Sequence, residues 1–338
     1  MYCCSNCFKD FEVKSIIQNI STVTGKCDLC LSESIDIVDV RELAEPFQSI
    51  VNLYSVDDDS SAILAELIQS EWNIFNLETD LIDKLLNQMF HNMSIKKTGL
   101  FTKKVSNKFD TNIESSNQLS QWVEFKEEIK TKNRFFIENL MELDLLSDLI
   151  KDQVHIYNSG KLFYRGRITK ENGISETEIG KPPALLASAG RANPKGIPYL
   201  YVATDERTTL YETRATYLDY VTIGTFKSRE KLKIVRLRGI GNKSPFPIEN
   251  LETYVFYKSF LLELEKELSK PLRRYDSELD YLPSQYLCEF IKSKGYDGVE
   301  YSSSLNKGGI NLAIFNDTKL EFAEKKVVEI KNINIQFE

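Results

Sequence analysis

Histidine is scarce in this chain: His91 and His155 are the only two among 338 residues. Neither follows an arginine at the short offset used by helical ribonucleases of the Arg-then-His type. With so little imidazole, a Ser-His-Asp hydrolase is a poor fit. No Gly-x-Gly-x-x-Gly turn and no Gly-x4-Gly-Lys-Ser/Thr loop is present, so a bound nucleotide would have to be gripped in some other way. No stretch of 18 residues stays apolar, and the start lacks both a basic segment and an apolar run. The expectation is a cytoplasmic protein with no membrane partner. Basic blocks are missing as well: 43 Lys and Arg stand against 50 Asp and Glu, for a net charge of −7. That balance speaks against nucleic acid as a general partner. Cysteines are not spread as in a secreted disulfide framework, since five of the six fall within the first thirty residues.

With 42% hydrophobic and 28% charged residues, the chain can bury substantial cores and reads as three segments: 1–43, 44–156 and 157–338. In the first, Cys4-x2-Cys7 and Cys27-x2-Cys30 enclose a 19-residue spacer. Two such knuckles can converge tetrahedrally on Zn²⁺, and four thiolates leave no open position for catalysis. The expectation is structural zinc on a ribbon-like segment, with Cys3 a substitute for Cys4 at the cost of the spacing. Lys9, Lys14 and Lys26 lie among Asp10, Glu12, Asp28 and Glu33, which suits a scaffold better than a nucleic-acid clamp.

From about Ser60 the apolar residues recur at three- and four-residue steps: Leu64, Leu67, Ile68 and Trp72, then Ile82, Leu85, Leu86 and Met89. A second set runs through Trp122, Phe125 and Ile129 and continues over Phe135, Phe136, Leu140, Leu143, Leu146, Leu149 and Ile150. These spacings predict core faces of a helical module without catalytic residues. Beyond Tyr157 the pattern turns to short β-prone runs punctuated by Gly and Pro. Strands are predicted at 161–168, 199–203, 221–226, 233–238, 297–301 and 311–315, with helices at 205–217, 250–268 and 284–294. The order is mixed α+β, not the regular alternation of a doubly wound sheet.

Five blocks of the second half then carry a resemblance. They are Phe163-Tyr164-Arg165; Gly190-Arg191-x-Asn193-Pro194-x-Gly196; Leu200-Tyr201 with Glu212 eleven residues on; Gly295-x-Asp297-Gly298-x-x-Tyr301-x-Ser303; and Gly309-x-Asn311-Leu312-x-x-Phe315. In order and spacing they resemble the RES domain, over roughly Tyr157 to Asn316. The first half is similar to the zinc-plus-helix segment ahead of RES domains in longer members. The resemblance implies a toxin-like enzyme that consumes NAD⁺, with a fold related to ADP-ribosyltransferases. In short members the domain is the toxin of a toxin–antitoxin pair, neutralised by a helix-turn-helix partner. The family's active-site residues fall on Arg165, Arg191, Tyr201, Glu212 and Ser303, the last flanked by Ser302 and Ser304. Ala192 departs from the pattern, because many short members carry an aromatic residue there.

Chemistry gives these residues roles. The nicotinamide of NAD⁺ is already a cationic leaving group, so the site must stabilise an oxocarbenium-like ribose and needs no general acid. Glu212 would supply the negative charge, and Arg165 and Arg191 would clamp the pyrophosphate. Tyr201 would stack on nicotinamide and orient it, the contact that Ala192 does not make would be missing or supplied by Tyr164 or Tyr201, and Ser303 and Asn311 would position the amide or the nucleophile. Water would make the enzyme a glycohydrolase and phosphate a phosphorylase. ADP-ribosyl transfer to a macromolecule is a second reading. A third is an inactive, zinc-containing nucleotide sensor. Arg167 reads as the wet side of a strand, and Glu206 as a cap at a helix start. An antitoxin or other regulatory protein is the expected partner, a homo-oligomer is compatible with the sequence, and the helical half is expected to restrain the site.

Overall fold

The structure is a computed structural model and describes residues 1–95, 99–109, 113–139, 142–271 and 278–333. The chain divides into two compact units, Met1–Ser116 with Gly241–Ser259, and Asn117–Ile240 with Phe260–Glu338. In chain order the strands are β1 (Tyr2–Cys4), β2 (Val23–Gly25), β3 (Ile35–Asp39), β4 (Tyr54–Val56), β5 (Val105–Asn107), β6 (Val154–Tyr157), β7 (Leu162–Thr169), β8 (Leu200–Ala203), β9 (Tyr220–Ser228), β10 (Leu232–Leu237), β11 (Gly298–Ser302), β12 (Ile310–Ile314) and β13 (Leu320–Glu329). The helices are α1 (Phe11–Ile20), α2 (Ala44–Val51), α3 (Leu64–Trp72), α4 (Thr79–Met89), α5 (Ile113–Thr131), α6 (Leu143–Lys151), α7 (Glu176–Ile179), α8 (Glu206–Thr213), α9 (Leu251–Ser269) and α10 (Leu282–Ser293). The architecture is mixed α+β, and none of the described helices is long and apolar enough to cross a membrane.

In the first unit, β1, β3 and β2 form a small antiparallel sheet that holds the cysteine turns. Asp10 starts α1 by accepting from the N–H groups of Glu12 and Val13, as an N-cap carboxylate should. Leu64, Ala65 and Ile68 of α3, and Ile82, Leu85, Leu86 and Met89 of α4, are buried, which is the face their spacing predicts. Phe8, Phe47 and Phe75 meet at the centre with ring centroids 5.6 to 6.2 Å apart.

The second unit is built on an eight-stranded sheet in the order β13-β9-β7-β8-β12-β11-β10-β6. All its pairings are antiparallel except β10 with β11. Phe163, Leu200, Val202, Phe226, Ile234, Leu312 and Ile314 are buried in one cluster on one face of the sheet, while the alternate residues of β9, β11 and β12 are buried as well. β7 pairs with β9 over eight positions but meets β8 at a single pair, Tyr164 with Ala203. The sheet therefore parts between β7 and β8, and this opening positions the site described below.

The second helical set is only partly a core face. Trp122, Phe125 and Ile129 of α5, and Leu146, Leu149 and Ile150 of α6, are buried, but Phe135 is 91% and Phe136 86% exposed. The helix stops at Thr131 because the Glu128 carboxylate accepts from the backbone N–H groups of Glu138 and Asn139, which folds the chain back on itself. Leu140 lies outside the described residues.

Candidate functional site

Cys4, Cys7, Cys27 and Cys30 come together in the first unit, with all four sulfur atoms within 4.8 Å of one another. The Sγ atoms of Cys4 and Cys30, and those of Cys7 and Cys27, stand 3.4 Å apart. A tetrahedral Zn²⁺ with bonds of about 2.3 Å would set these edges near ~3.8 Å, so the donor set fits zinc in both chemistry and spacing. The N–H groups of Leu29 and Cys30 point at Cys27 Sγ, the kind of support that steadies a thiolate ligand. Cys3 is buried but not part of the cluster, because alternation along β1 turns it to the opposite face from Cys4. Burial pushes the Cys4 thiol up to about 12, so a metal would have to displace its proton.

In the second unit a cavity of about 500 Å³ opens where β7 and β8 part, and Arg165, Arg191, Tyr201, Glu212 and Asn311 all contribute to its lining. Glu212 reaches it from the last turn of α8. Asp205 caps this helix by accepting from the N–H of Thr208, whereas Glu206, the cap expected from sequence, pairs with Lys326. The difference is one of position: the cap residue must be extended, and Glu206 already lies inside the helix. The helix ends at Thr213, four residues short of the predicted end, with Arg214 in the left-handed conformation. α8 packs closely on β7 at Gly166, where an added Cβ would lie 2.8 Å from Thr213 Cγ2 and 3.3 Å from the Thr209 carbonyl.

Glu212 is exposed, yet one of its oxygens is fixed by two donors. Ser303 Oγ donates to Oε1 at 2.6 Å and Asn311 Nδ2 at 2.7 Å. Of the three adjacent serines, Ser303 is the one that makes this contact. Its hydroxyl also accepts from the N–H groups of Leu305 and Asn306, so the turn that joins β11 to β12 orients it. Asn311, at the start of β12, is 6% exposed. The carboxylate is thereby held through Oε1 on the lining of the cavity.

Arg165 leaves β7 at the parting of the sheet and donates from Nη1 to the Tyr201 carbonyl at 2.8 Å. Its Nε is buried and has no hydrogen-bond partner among the described residues. Burial, with Arg167 close by, lowers this guanidinium to about 10, still well above neutral pH, so it remains a cation. Arg191 is engaged differently from the expected pyrophosphate clamp. Its Nη1 and Nη2 donate to the carbonyls of Leu268 and Lys270 at 2.6 and 2.7 Å. These carbonyls lie at the end of α9, where no intrahelical donor is left for them and the helix dipole is negative. The guanidinium also lies over the Tyr301 ring, 5.7 Å from its centroid.

Tyr201 holds the loop beside it. Its hydroxyl donates to Asn193 Oδ1 at 2.6 Å and accepts from the Ala192 N–H at 3.0 Å, so the ring faces the cavity while the hydroxyl is already committed. Burial and the neighbouring Tyr301 push this phenol far up, and it stays neutral. Gly190 must be bare here, since a Cβ would lie 2.6 Å from Asn193 Oδ1 and 2.7 Å from Tyr201 Oη. Tyr164 does not line the cavity, a correction to its expected role: alternation sends its ring away from Arg165, and its carbonyl accepts from Thr209. Residues not singled out from sequence also contribute. Tyr301 forms part of the wall, Asn193 fixes Tyr201, and both stand in the five matched blocks.

A family model described as the RES domain matches residues 166–337. Among solved structures, the toxin–antitoxin complex MbcT–MbcA of M. tuberculosis aligns at 13% identity, covering 55% of this chain and 94% of that one, with a TM-score of 0.33. So low a score carries no argument about this chain. No curated protein matches.

Proposed function

This chain belongs to the RES domain family, and from that premise we propose that it cleaves the bond between nicotinamide and ribose in NAD⁺, as a toxin-like enzyme of the cytoplasm. The observation that carries the reading is the Glu212 carboxylate, held by Ser303 and Asn311 on a cavity that also receives two guanidinium groups. When the glycosidic bond breaks, its electron pair goes to the pyridinium ring and nicotinamide leaves neutral. The ribose carbon becomes oxocarbenium-like, and the fixed negative charge of Glu212 stabilises it. Water then adds and loses a proton, or phosphate adds directly. Donors already aimed at Glu212 lower the reorganisation needed as positive charge develops.

Arg165 holds the diphosphate through its cationic charge. Arg191 adds positive charge and ties the Gly190 loop to the end of α9. The ring of Tyr201 offers a face for stacking. Zn²⁺ on Cys4, Cys7, Cys27 and Cys30 would supply folding energy to a small sheet and take no part in the reaction. Residues 1–43 and 44–156 are the segments that would restrain residues 157–338, together with an antitoxin or other regulatory protein.

The test is mass spectrometry of the products after purified protein meets NAD⁺, with and without inorganic phosphate. Nicotinamide is expected in the wild type. Glu212→Ala should lose it by about 100-fold or more, the range for removing one key electrostatic group, while circular dichroism stays unchanged. Intact NAD⁺ under both conditions would remove the basis for the proposal.

A further inference from the structure

Arg167 read from sequence as the solvated side of a strand. In the structure it lines a second cavity, of about 770 Å³, on the far side of Arg165. The two cavities share Arg165, Gly190 and Tyr201, so they adjoin at the Arg165 side chain. A guanidinium shared by both linings offers a phosphate at the junction a charged hydrogen-bond donor.

The second cavity has the character expected of a purine-nucleotide pocket. One wall is apolar, from Ile168, Ile174, Pro182, Pro183 and Leu186. Its charged groups differ in availability. Lys181 is paired with Asp317, and Glu178 is taken up by the N–H and hydroxyl of Ser175. Among the described residues, Arg167 donates in a long contact from Nη2 to the Gly180 carbonyl, 3.4 Å, and its charge also acts on Glu178. Two cations, Arg165 and Arg167, therefore stand in succession along β7, one at the junction and one inside the second cavity, beside a surface on which a base can lie.

We propose that this second cavity is the subsite for the adenosine monophosphate half of the substrate, and that Arg167 makes the protein prefer a dinucleotide to nicotinamide mononucleotide. The assignment rests on the proposed reading of the first cavity as the place where nicotinamide is released. One cavity then holds the reacting ribose, the other the adenylate, and the diphosphate crosses at Arg165. The length of the substrate is measured by a residue that lies outside the reacting centre.

Two measurements test this, one independent of turnover. Nicotinamide release is followed from NAD⁺ and from nicotinamide mononucleotide, for the wild type, Arg167→Gln and Arg167→Lys. Arg167→Gln should lower the NAD⁺-to-mononucleotide ratio of kcat/KM by about 10-fold or more, the worth of a charge-assisted hydrogen bond. The change should fall mainly on KM for NAD⁺, and Arg167→Lys should recover part of it. Titration calorimetry with AMP should show binding to the wild type that weakens by about the same factor in Arg167→Gln. An unchanged substrate ratio, or a variant that binds AMP as the wild type does, overturns the assignment. So does failure of the wild type to bind AMP. A loss in the variant that depends equally on inorganic phosphate with both substrates also overturns it, by making Arg167 a holder of the nucleophile. If the wild type cleaves neither substrate yet binds AMP through Arg167, the subsite stands and the catalytic reading falls.

Discussion

Glu212 is one carboxylate on an exposed helix surface, and its Oε1 accepts from Ser303 and Asn311 while the residue lines the cavity. Asn311→Ala removes one of them from a buried position and leaves the backbone pairing of β12 in place. Nicotinamide release should fall about 10-fold, on the scale of one charge-assisted hydrogen bond, with KM changed less than kcat. An equal fall in Gln118→Ala, which is not among the residues lining the cavity, would show the effect to be unspecific. The sequence made Arg165, Arg191, Tyr201, Glu212 and Asn311 visible through spaced blocks, and these side chains lie on the lining of one cavity. Their hydrogen bonds were not visible. The partners of Arg191 are main-chain carbonyls more than seventy residues away, and the partners of the Tyr201 hydroxyl belong to an irregular loop. Neither side-chain type nor spacing encodes such contacts.

Among the elements, α8 is the one whose seating decides where Glu212 stands. Its approach to β7 depends on the absence of a side chain at Gly166, where even a Cβ would press on Thr213. Gly166→Val should destabilise the protein by about 1 to 3 kcal/mol, the cost of overpacking, and lower activity further than stability alone accounts for. Urea unfolding and turnover measured on the same sample separate the two effects, and a variant with wild-type values in both would contradict this view of the packing. Strands with β-prone runs, such as β7 and β12, were legible because such composition is a local property. β13 was not anticipated, since its sequence, LEFAEKKVVE, is largely charged and exposed and it is recruited by pairing along β9. The exposed Phe135 and Phe136 misled in the opposite direction. Helical spacing continues past Thr131, but a buried acceptor, Glu128, captures the chain and stops the helix.

For the whole molecule, two perturbations have predictable signs. Chelation of zinc by 1,10-phenanthroline, or Cys7→Ser, should unfold the small cysteine-bearing sheet and lower the thermal midpoint, because the metal's binding energy is folding energy there. Metal content by plasma emission should be near one equivalent, and full stability in a metal-free sample would exclude the structural role. The second concerns acid. Burial, and then the nearby Arg236, hold the His155 imidazole below its ordinary 6.5, while the unfolded chain titrates normally. As pH falls below that value the unfolded state binds the proton more readily, so stability is complete above it and declines through the acid range. His155→Gln should flatten this decline in denaturant midpoints measured between pH 7 and pH 5, and an unchanged slope would assign it to other groups.

Arg191 has a consequence that reaches beyond the cavity. Its two terminal nitrogens grip the carbonyl of Leu268, in the last turn of a 19-residue helix, and that of Lys270 just past its end. An anion that drew this guanidinium toward itself would let go of the helix tail, and those oxygens would turn to water for donors. Occupancy of the pocket and winding of that tail would then be linked quantities, so whatever stiffens or loosens the far end of α9 tunes how readily the pocket fills.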